Sequence, residues 1–375
     1  MIEQIRNHFA IAKRIVIKVG SNLVSAQGTG IDSELIEQWT SDIASLRAAG
    51  KDIVLVSSGA VSVGMARMKL SKRPTKVLEL QALAAIGQSG LMNIYDHVFA
   101  KVGLTCAQIL LTHADLDDRA RYLNARSTFE TLLAMQVIPI VNENDTVTID
   151  EIRFGDNDTL SALICNLIGA EVLILLSDQE GLYKENPKLN PNAELIQHAP
   201  VNDTLLLSYA GKEGALGRGG MKSKVLAARL ASRSATQTVI AHGKRREIIK
   251  QIISGAPIGT VLYNSELADT ARKHWIRAQL KANGTVILDG GAVSAITELK
   301  KSLLPVGVVN CTGNFQRGEV VLCVNIDGAV IARGISNYSI EETIKILQKP
   351  SNQIASILGY EGDSELIHRD NLVLE

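Results

Sequence analysis

The sequence predicts an α/β fold, a mostly parallel sheet covered by helices on both faces, followed by a smaller β-rich domain. Through roughly the first two-thirds of the chain, short β-branched apolar runs alternate with longer segments of helical period. That is the pattern of strands buried on both faces and joined by crossover helices. Past about Leu262 the texture changes to short strands punctuated by Gly, Asn and Asp, as in a small β-barrel or sandwich. The length, 375 residues, exceeds that at which a single core usually stops growing.

In chain order the predicted strands of the larger domain are Ile15–Val19, Ile53–Ser57, Thr105–Leu111, Val137–Asn142, Val172–Ser177 and Gln237–Ala241. Between them, Ser33–Ala49 carries Leu35, Ile36, Trp39, Ile43 and Leu46 at helical spacing behind Asp32 as a cap. Lys76–Val102, Asp117–Met135, Asp158–Ile168 and Met221–Ser234 read as further helices. The small domain has strands Thr285–Leu288, Val306–Asn310, Glu319–Val324 and Ala329–Arg333, with little helical pattern before Ile340–Gln348. The expected boundaries are a first domain over residues 1–265, a connecting helix within 266–281 and a second domain over 282–375. The stretch before Ile15 receives no role.

Composition limits the function classes. The formal net charge is zero, so no global field draws the molecule to nucleic acid or anionic membrane, and any anion site must be local. Cys106, Cys165, Cys311 and Cys323 lie far apart without a C-x-x-C pair, which points to reduced thiols rather than disulfides or a zinc site. The seven histidines show no metal-ligand spacing. Residues 1–13 lack the apolar core of a signal peptide, and no run approaches the ~20 residues that span a bilayer. A cytoplasmic location is expected.

In open parallel sheets ligands bind beyond the carboxyl ends of the strands, so the residues following each strand matter most. The first strand runs into Lys18-Val19-Gly20-Ser21. A lysine there either snorkels to solvent from an edge or meets an anion, because burying an unpaired ammonium is costly. The small Gly/Ser turn also lets backbone N–H groups approach a phosphate. The second strand ends in Ser57-Ser58-Gly59-Ala60, which is either a capped helix start or a ligand turn. Asn142-Glu143-Asn144-Asp145 and Gly155-Asp156-Asn157-Asp158 flank a hairpin-like Val147–Phe154. Such paired acidic and amide clusters are rare in a structural loop. Asp158 is placed to cap the helix that follows.

The fifth strand delivers Ser177-Asp178. Later, Arg218-Gly219-Gly220-Met221-Lys222-Ser223-Lys224 is glycine-rich and basic and opens a helix, a construction suited to phosphate. The Walker A pattern G-x-x-x-x-G-K-[ST] is absent, and no G-x-G-x-x-G follows the first strand.

Together these motifs resemble the amino acid kinase family, and within it the enzymes that phosphorylate glutamate. Further matching segments are Leu123-Asn124-Ala125-Arg126, Gln179-Glu180-Gly181-Leu182-Tyr183, Thr312-Gly313-Asn314-Phe315 and Arg317-Gly318-Glu319. The likeness runs from about Ile15 to Asp370, and its last part is similar to a PUA domain. The resemblance implies an αβα sandwich, ATP with Mg²⁺, and transfer of phosphate to the side-chain carboxylate of L-glutamate on the way to proline. It assigns the ATP phosphates to Lys18 and Lys224 and the rest of the nucleotide site to Ser177, Asp178, Arg218, Gly219, Gly220, Met221, Lys222 and Ser223. Ser58, Asp145 and Asn157 would hold glutamate. Lys18, Lys224 and Asp178 are the expected catalytic groups, with Asp178 orienting the lysines. No metal ligand is singled out. The family more usually has threonine where this chain has Ser57 and Ser177, and positions 218 and 222 vary in it.

The resemblance also implies a homo-oligomer and feedback inhibition by proline. The rival readings are a family member acting on acetylglutamate, aspartate, carbamate or a nucleotide, an RNA-binding protein working through the PUA-like domain, and a silent regulatory subunit. From Ile276 onward basic residues are slightly outnumbered by acidic ones. Phe315, Tyr338 and Tyr360 are scattered, without a stacking stripe. A nucleic-acid partner is therefore not expected.

Overall fold

A computed structural model describes residues 2–24, 31–148, 157–211, 220–264 and 282–374. The predicted connecting helix, most of the hairpin-like segment, Gly155, Asp156, Arg218 and Gly219 lie outside the described residues. The chain divides into two compact units, Met1–Leu116 with Arg126–Ala271 and Asp117–Ala125 with Arg272–Glu375.

The first unit is built on eight strands: β1 (Arg14–Val19), β2 (Asp52–Ser57), β3 (Cys106–Leu111), β4 (Ile138–Glu143), β5 (Val172–Ser177), β6 (His198–Pro200), β7 (Gln237–His242) and β8 (Thr260–Tyr263). Their order is β3-β4-β2-β1-β5-β7-β8-β6. All neighbours pair in parallel except β7 with β8. β1 sits between β2 and β5, with Lys18 opposite Val56 on one side and Leu175 on the other. Covered on both faces and both edges, β1 and β5 can be continuously apolar, which is why they read as unbroken runs. The central position also removes the edge-lysine explanation for Lys18.

Six strands lie within about a residue of the predicted ones. β6 and β8 escaped notice because they are only three and four residues long. The stretch before Ile15 forms a helix, Ile2–Ile11, that buries Phe9 in the core and lays Arg6 against the Ala256 carbonyl. Helix Ser33–Ala48 is capped as predicted, with Asp32 Oδ1 accepting from Leu35 N–H at 3.1 Å.

Two helices after β2 pack closely enough to exclude side chains. A Cβ at Gly87, in helix Val77–Lys101, would lie 1.8 Å from the carbonyl oxygen of Ala60, the first residue of helix Ala60–Arg67. Before it, Gly59 adopts φ +120°, a backbone that favours glycine. The turn after β2 is thus held in place by backbone contact rather than by long side chains.

The second unit holds one mixed sheet, ordered β10-β9-β11-β12-β13, from β9 (Gly284–Leu288), β10 (Val308–Gly313), β11 (Val320–Asn325), β12 (Val330–Ile335) and β13 (Leu372–Leu374). Phe315 and Tyr338 are fully buried in its core. Helix Ile340–Ile346 starts on a capping box between Ser339 and Glu342. Helix Gly290–Thr297 corrects the expectation of little helical pattern between Gly284 and Ile340: Asp289 caps it through Ala292 N–H at 2.7 Å. Its glycines and β-branched residues hid it from a reading by period.

All four cysteines are free; Cys165, Cys311 and Cys323 are buried and Cys106 is half-buried. Among the described residues, no helix is long and apolar enough to cross a membrane.

Candidate active site

A cleft opens at the carboxyl ends of the four strands at the middle of the first unit's sheet. It is lined by Lys18, Gly20 and Ser21 after β1, by Ser58 and Gly59 after β2, and by Asn142, Glu143 and Asp145 at the end of β4. Ser177 and Asp178 at the end of β5, with Asn157 and Lys224, complete the wall. These four turns are adjacent because their strands are; the Ser58 N–H even donates to the Val19 carbonyl across the β1–β2 pair at 3.3 Å.

At its floor Asp158 is buried between two lysines. Its Oδ1 lies 2.5 Å from Lys18 Nζ and its Oδ2 lies 2.9 Å from Lys224 Nζ. Ser223 Oγ donates to the same Oδ2 at 2.7 Å. Asp158 is fully buried, and Lys18 and Lys224 are 4% and 3% exposed. Burial by itself pushes the Asp158 carboxyl up, but the two ammonium groups and the Lys18 and Ser223 hydrogen bonds outweigh it and hold the group well below the usual carboxylate range. These three ionised groups alone sum to a formal +1, an arrangement ready to meet an anion entering the cleft.

Asp158 therefore does more than cap a helix. It sits in the first turn of Asn157–Ile168, and it, not Asp178, is the carboxylate found between both lysines. Asp178 is exposed at the cleft, where it accepts from Ser177 Oγ at 3.2 Å. Sequence reasoning missed this role of Asp158. The signal available was two strand- or helix-borne lysines with no other buried carboxylate assigned to them.

The opposite wall is made of amides and hydroxyls. Asn157 Nδ2 donates to Ser58 Oγ at 2.8 Å, to Asn142 Oδ1 at 2.9 Å and, more weakly, to the Ser57 carbonyl at 3.3 Å. Ser57 Oγ is 2.7 Å from the buried Tyr95 hydroxyl. The two acidic and amide clusters divide their tasks. Asn144 shapes the turn, accepting from Thr146 Oγ1 at 2.6 Å through its side chain and from Thr148 Oγ1 at 3.0 Å through its carbonyl. Asn142, Glu143, Asp145 and Asn157 face the cleft.

Of the other expected nucleotide residues, Gly220, Met221, Lys222 and Ser223 open helix Met221–Ala231. Gly220 supplies no side-chain cap, which leaves the first N–H groups of that helix for other acceptors. Arg73, which sequence reasoning passed over, also lines the cleft from the loop before Val77.

Among the described residues no three His, Cys, Asp or Glu side chains gather into a metal cage. The lining carboxylates, Glu143, Asp145 and Asp178, suit an ion carried in on phosphates and water, since Mg²⁺ needs only one or two carboxylates at such sites.

A parallel sheet with a lysine-bearing first strand, a carboxylate shared by two lysines and a glycine-opened helix beside a polar cleft describes a phosphoryl-transfer enzyme. Residues 13–242 match the amino acid kinase family and residues 284–358 match the PUA domain. The chain belongs to the amino acid kinase family, which makes ATP its co-substrate. It is 51% identical over 372 residues to glutamate 5-kinase from Marinomonas sp. (strain MWYL1), covering 99% of this chain and 100% of that one. It is 53% identical over 364 residues to glutamate 5-kinase from Herminiimonas arsenicoxydans, covering 97% and 98%. The crystal structure of UMP kinase from Bacillus anthracis has the same fold, with TM-score 0.50 at 15% identity, over 68% of this chain and 97% of that one.

Proposed function

We propose that the protein transfers the γ-phosphoryl group of ATP to the side-chain carboxylate of L-glutamate, forming L-glutamyl 5-phosphate for proline synthesis. The observation that supports this most is the buried Lys18–Asp158–Lys224 group beside a cleft whose other wall carries Ser58, Asp145 and Asn157.

A carboxylate acceptor is already anionic at neutral pH and needs no general base. The obstacle is electrostatic, because one anion must approach the polyanionic end of another. Alignment and charge neutralisation then supply most of the catalysis. Lys18 and Lys224 neutralise the transferring group from the floor, and Asp158 fixes both ammonium groups so that they need not reorganise. Ser177, Asp178 and the helix opening at Gly220–Lys224, with Arg218 and Gly219 before it, hold the nucleotide. Mg²⁺ fits as an ion bound chiefly by phosphates and water, with Asp178 sharing it; when bound it neutralises phosphate charge.

Asp145 takes the α-ammonium group of glutamate, Ser58 and Asn157 hydrogen-bond the substrate, and Arg73 meets its α-carboxylate. An acetylated amine would carry no charge for Asp145, which separates glutamate from acetylglutamate. The kinase domain spans residues 1–265 and the PUA domain 282–375, joined through 266–281. The enzyme works in the cytoplasm as a homo-oligomer whose glutamate site is weakened by proline.

The test is ADP release from ATP and Mg²⁺ with L-glutamate, N-acetylglutamate, L-aspartate and UMP offered separately, with hydroxylamine present to trap an acyl phosphate as its hydroxamate. Glutamate-dependent turnover with hydroxamate is expected, and added proline should raise the glutamate KM. Turnover with another acceptor only, or none in folded protein, overturns the reading.

A further inference from the structure

The geometry points to a ladder of side-chain amides, running inward from the sheet edge, that fixes which atom of Asn157 faces the substrate; Gln88 is its positioning residue. The inference rests on the glutamate-binding reading above and adds a residue outside the cleft to it.

The ladder joins four amides through three hydrogen bonds. Gln88 Nε2 donates to Gln108 Oε1 at 3.0 Å, Asn142 Nδ2 donates to Gln88 Oε1 at 2.9 Å, and Asn157 Nδ2 donates to Asn142 Oδ1 at 2.9 Å. Gln108 is on edge strand β3, Gln88 on helix Val77–Lys101, Asn142 on β4 and Asn157 at the start of its own helix. Gln88 and Asn142 each accept through the oxygen from one neighbour and donate through the nitrogen to the other, so the three bonds share one direction.

That direction is favoured at the inner end. The Ser57 carbonyl can only accept, and Asn157 Nδ2 lies 3.3 Å from it. That weak bond favours the nitrogen of Asn157 at the wall but does not lock it there, and the bond to Asn142 completes the choice. Its hydrogens are then taken by Ser58 Oγ and Asn142 Oδ1. What remains is Asn157 Oδ1, buried and without a hydrogen-bond partner, on a residue that is 7% exposed and lines the cleft. A buried acceptor of that kind is costly unless a ligand satisfies it. The ligand must donate there. The α-ammonium of an amino acid does so, and a carboxylate or phosphate oxygen does not.

Gln88 controls this from outside the cleft. By accepting from Asn142 Nδ2 it obliges Asn142 to turn Oδ1 toward Asn157. Were Asn142 to flip, its NH₂ would face the NH₂ of Asn157, and Asn157 would be driven to flip in turn, placing donors where the substrate also donates. The ladder is thus a specificity device for amino acids over the corresponding dicarboxylates.

Three proteins test it: wild type, Gln88→Leu, which keeps the bulk and removes the acceptor, and Gln88→Glu, which keeps an acceptor for Asn142. Steady-state kinetics with glutamate are combined with inhibition by glutarate, which is glutamate without its ammonium group. In Gln88→Leu the glutamate KM should rise by about tenfold, the scale of one charge-assisted hydrogen bond. Glutarate inhibition, the ATP KM and kcat should stay near wild type, and Gln88→Glu should restore much of the glutamate KM. Equal losses for glutamate and glutarate, or an unchanged glutamate KM in folded Gln88→Leu, overturn the ladder while leaving glutamate as substrate. If Gln88→Leu fails to fold, Gln88→Glu decides: a near-normal preference for glutamate over glutarate supports the ladder, and a collapsed one overturns it. Wild type that does not turn over glutamate overturns both readings.

Discussion

Lys18 Nζ and Asp158 Oδ1 lie 2.5 Å apart, although one ends the first strand and the other begins a helix far along the chain. Lys224 meets the other oxygen of the same carboxylate, so neither lysine is the sole neutraliser of Asp158. Replacing Lys18 by methionine should therefore leave the fold intact and remove only the charge presented to the transferring phosphoryl group. We expect kcat to fall by about 100- to 1000-fold, with the melting temperature within a few degrees of wild type. Lys224→Met should behave alike. Near-normal turnover in either variant would take that lysine out of the mechanism.

Asp158 is the more structural member. Its carboxyl is held lower in the folded chain than in the unfolded one. The stabilisation it supplies is therefore complete above the unfolded value of about 4 and is lost as pH falls through the folded value. Asp158→Asn leaves two buried ammonium groups without their carboxylate, a loss on the order of 3–5 kcal/mol at neutral pH. Urea midpoints of wild type and variant should be well separated at pH 7 and converge as pH drops below about 4. A gap that stays constant through that range would mean the carboxylate charge is not what stabilises the site.

Asp145 is expected to discriminate by charge. Asp145→Asn should raise the glutamate KM by about tenfold or more, the scale of a charge-assisted hydrogen bond, and narrow the preference for glutamate over N-acetylglutamate. Parallel KM measurements with both substrates check this. An unchanged ratio would assign the ammonium group elsewhere.

Gly87 bears on stability rather than chemistry. The Ala60 carbonyl is backbone and cannot swing aside, so Gly87→Ala must spread helices Ala60–Arg67 and Val77–Lys101. A loss of about 1–3 kcal/mol follows from such overpacking, read as a lower urea midpoint. Because helix Ala60–Arg67 begins at the cleft, the glutamate KM should rise together with it. Unaltered stability would show that the helices have room the structure denies them.

Much of this was legible in the sequence where local chemistry is unambiguous. β5 is both predicted and observed at Val172–Ser177, because a strand buried on two faces must be apolar throughout. Lys18 stood out because a lysine ending an apolar strand must either snorkel to solvent or meet an anion, and Lys224 because it belongs to a glycine-rich basic run that opens a helix. The identity of that anion was not legible. Asp158 opens a helix as an ordinary capping residue does, and Lys224 lies 66 residues away from it; only the sheet order β2-β1-β5 brings the pieces together. The amide ladder was hidden for the same reason. Gln88 looks like any polar residue of a long helix until β3 and β4 lie beside it. Helix Gly290–Thr297 was lost differently, since its composition argues against its own structure.

Arg73 is the last residue whose role the cleft geometry makes testable. Arg73 lines the cleft, and a planar guanidinium suits the substrate's α-carboxylate, which it can meet with two parallel hydrogen bonds. Its guanidinium would hold that group while the side-chain carboxylate points to the floor. Arg73→Gln should raise the glutamate KM by about tenfold with little change in kcat, since the bond is the same before and during transfer. A probe lacking the α-carboxylate separates this role from a general loosening of the loop. 4-Aminobutyrate keeps the ammonium and the reacting carboxylate, so its weak inhibition should be the same in wild type and Arg73→Gln. If the variant weakens glutamate and 4-aminobutyrate equally, Arg73 shapes the loop and does not contact the substrate.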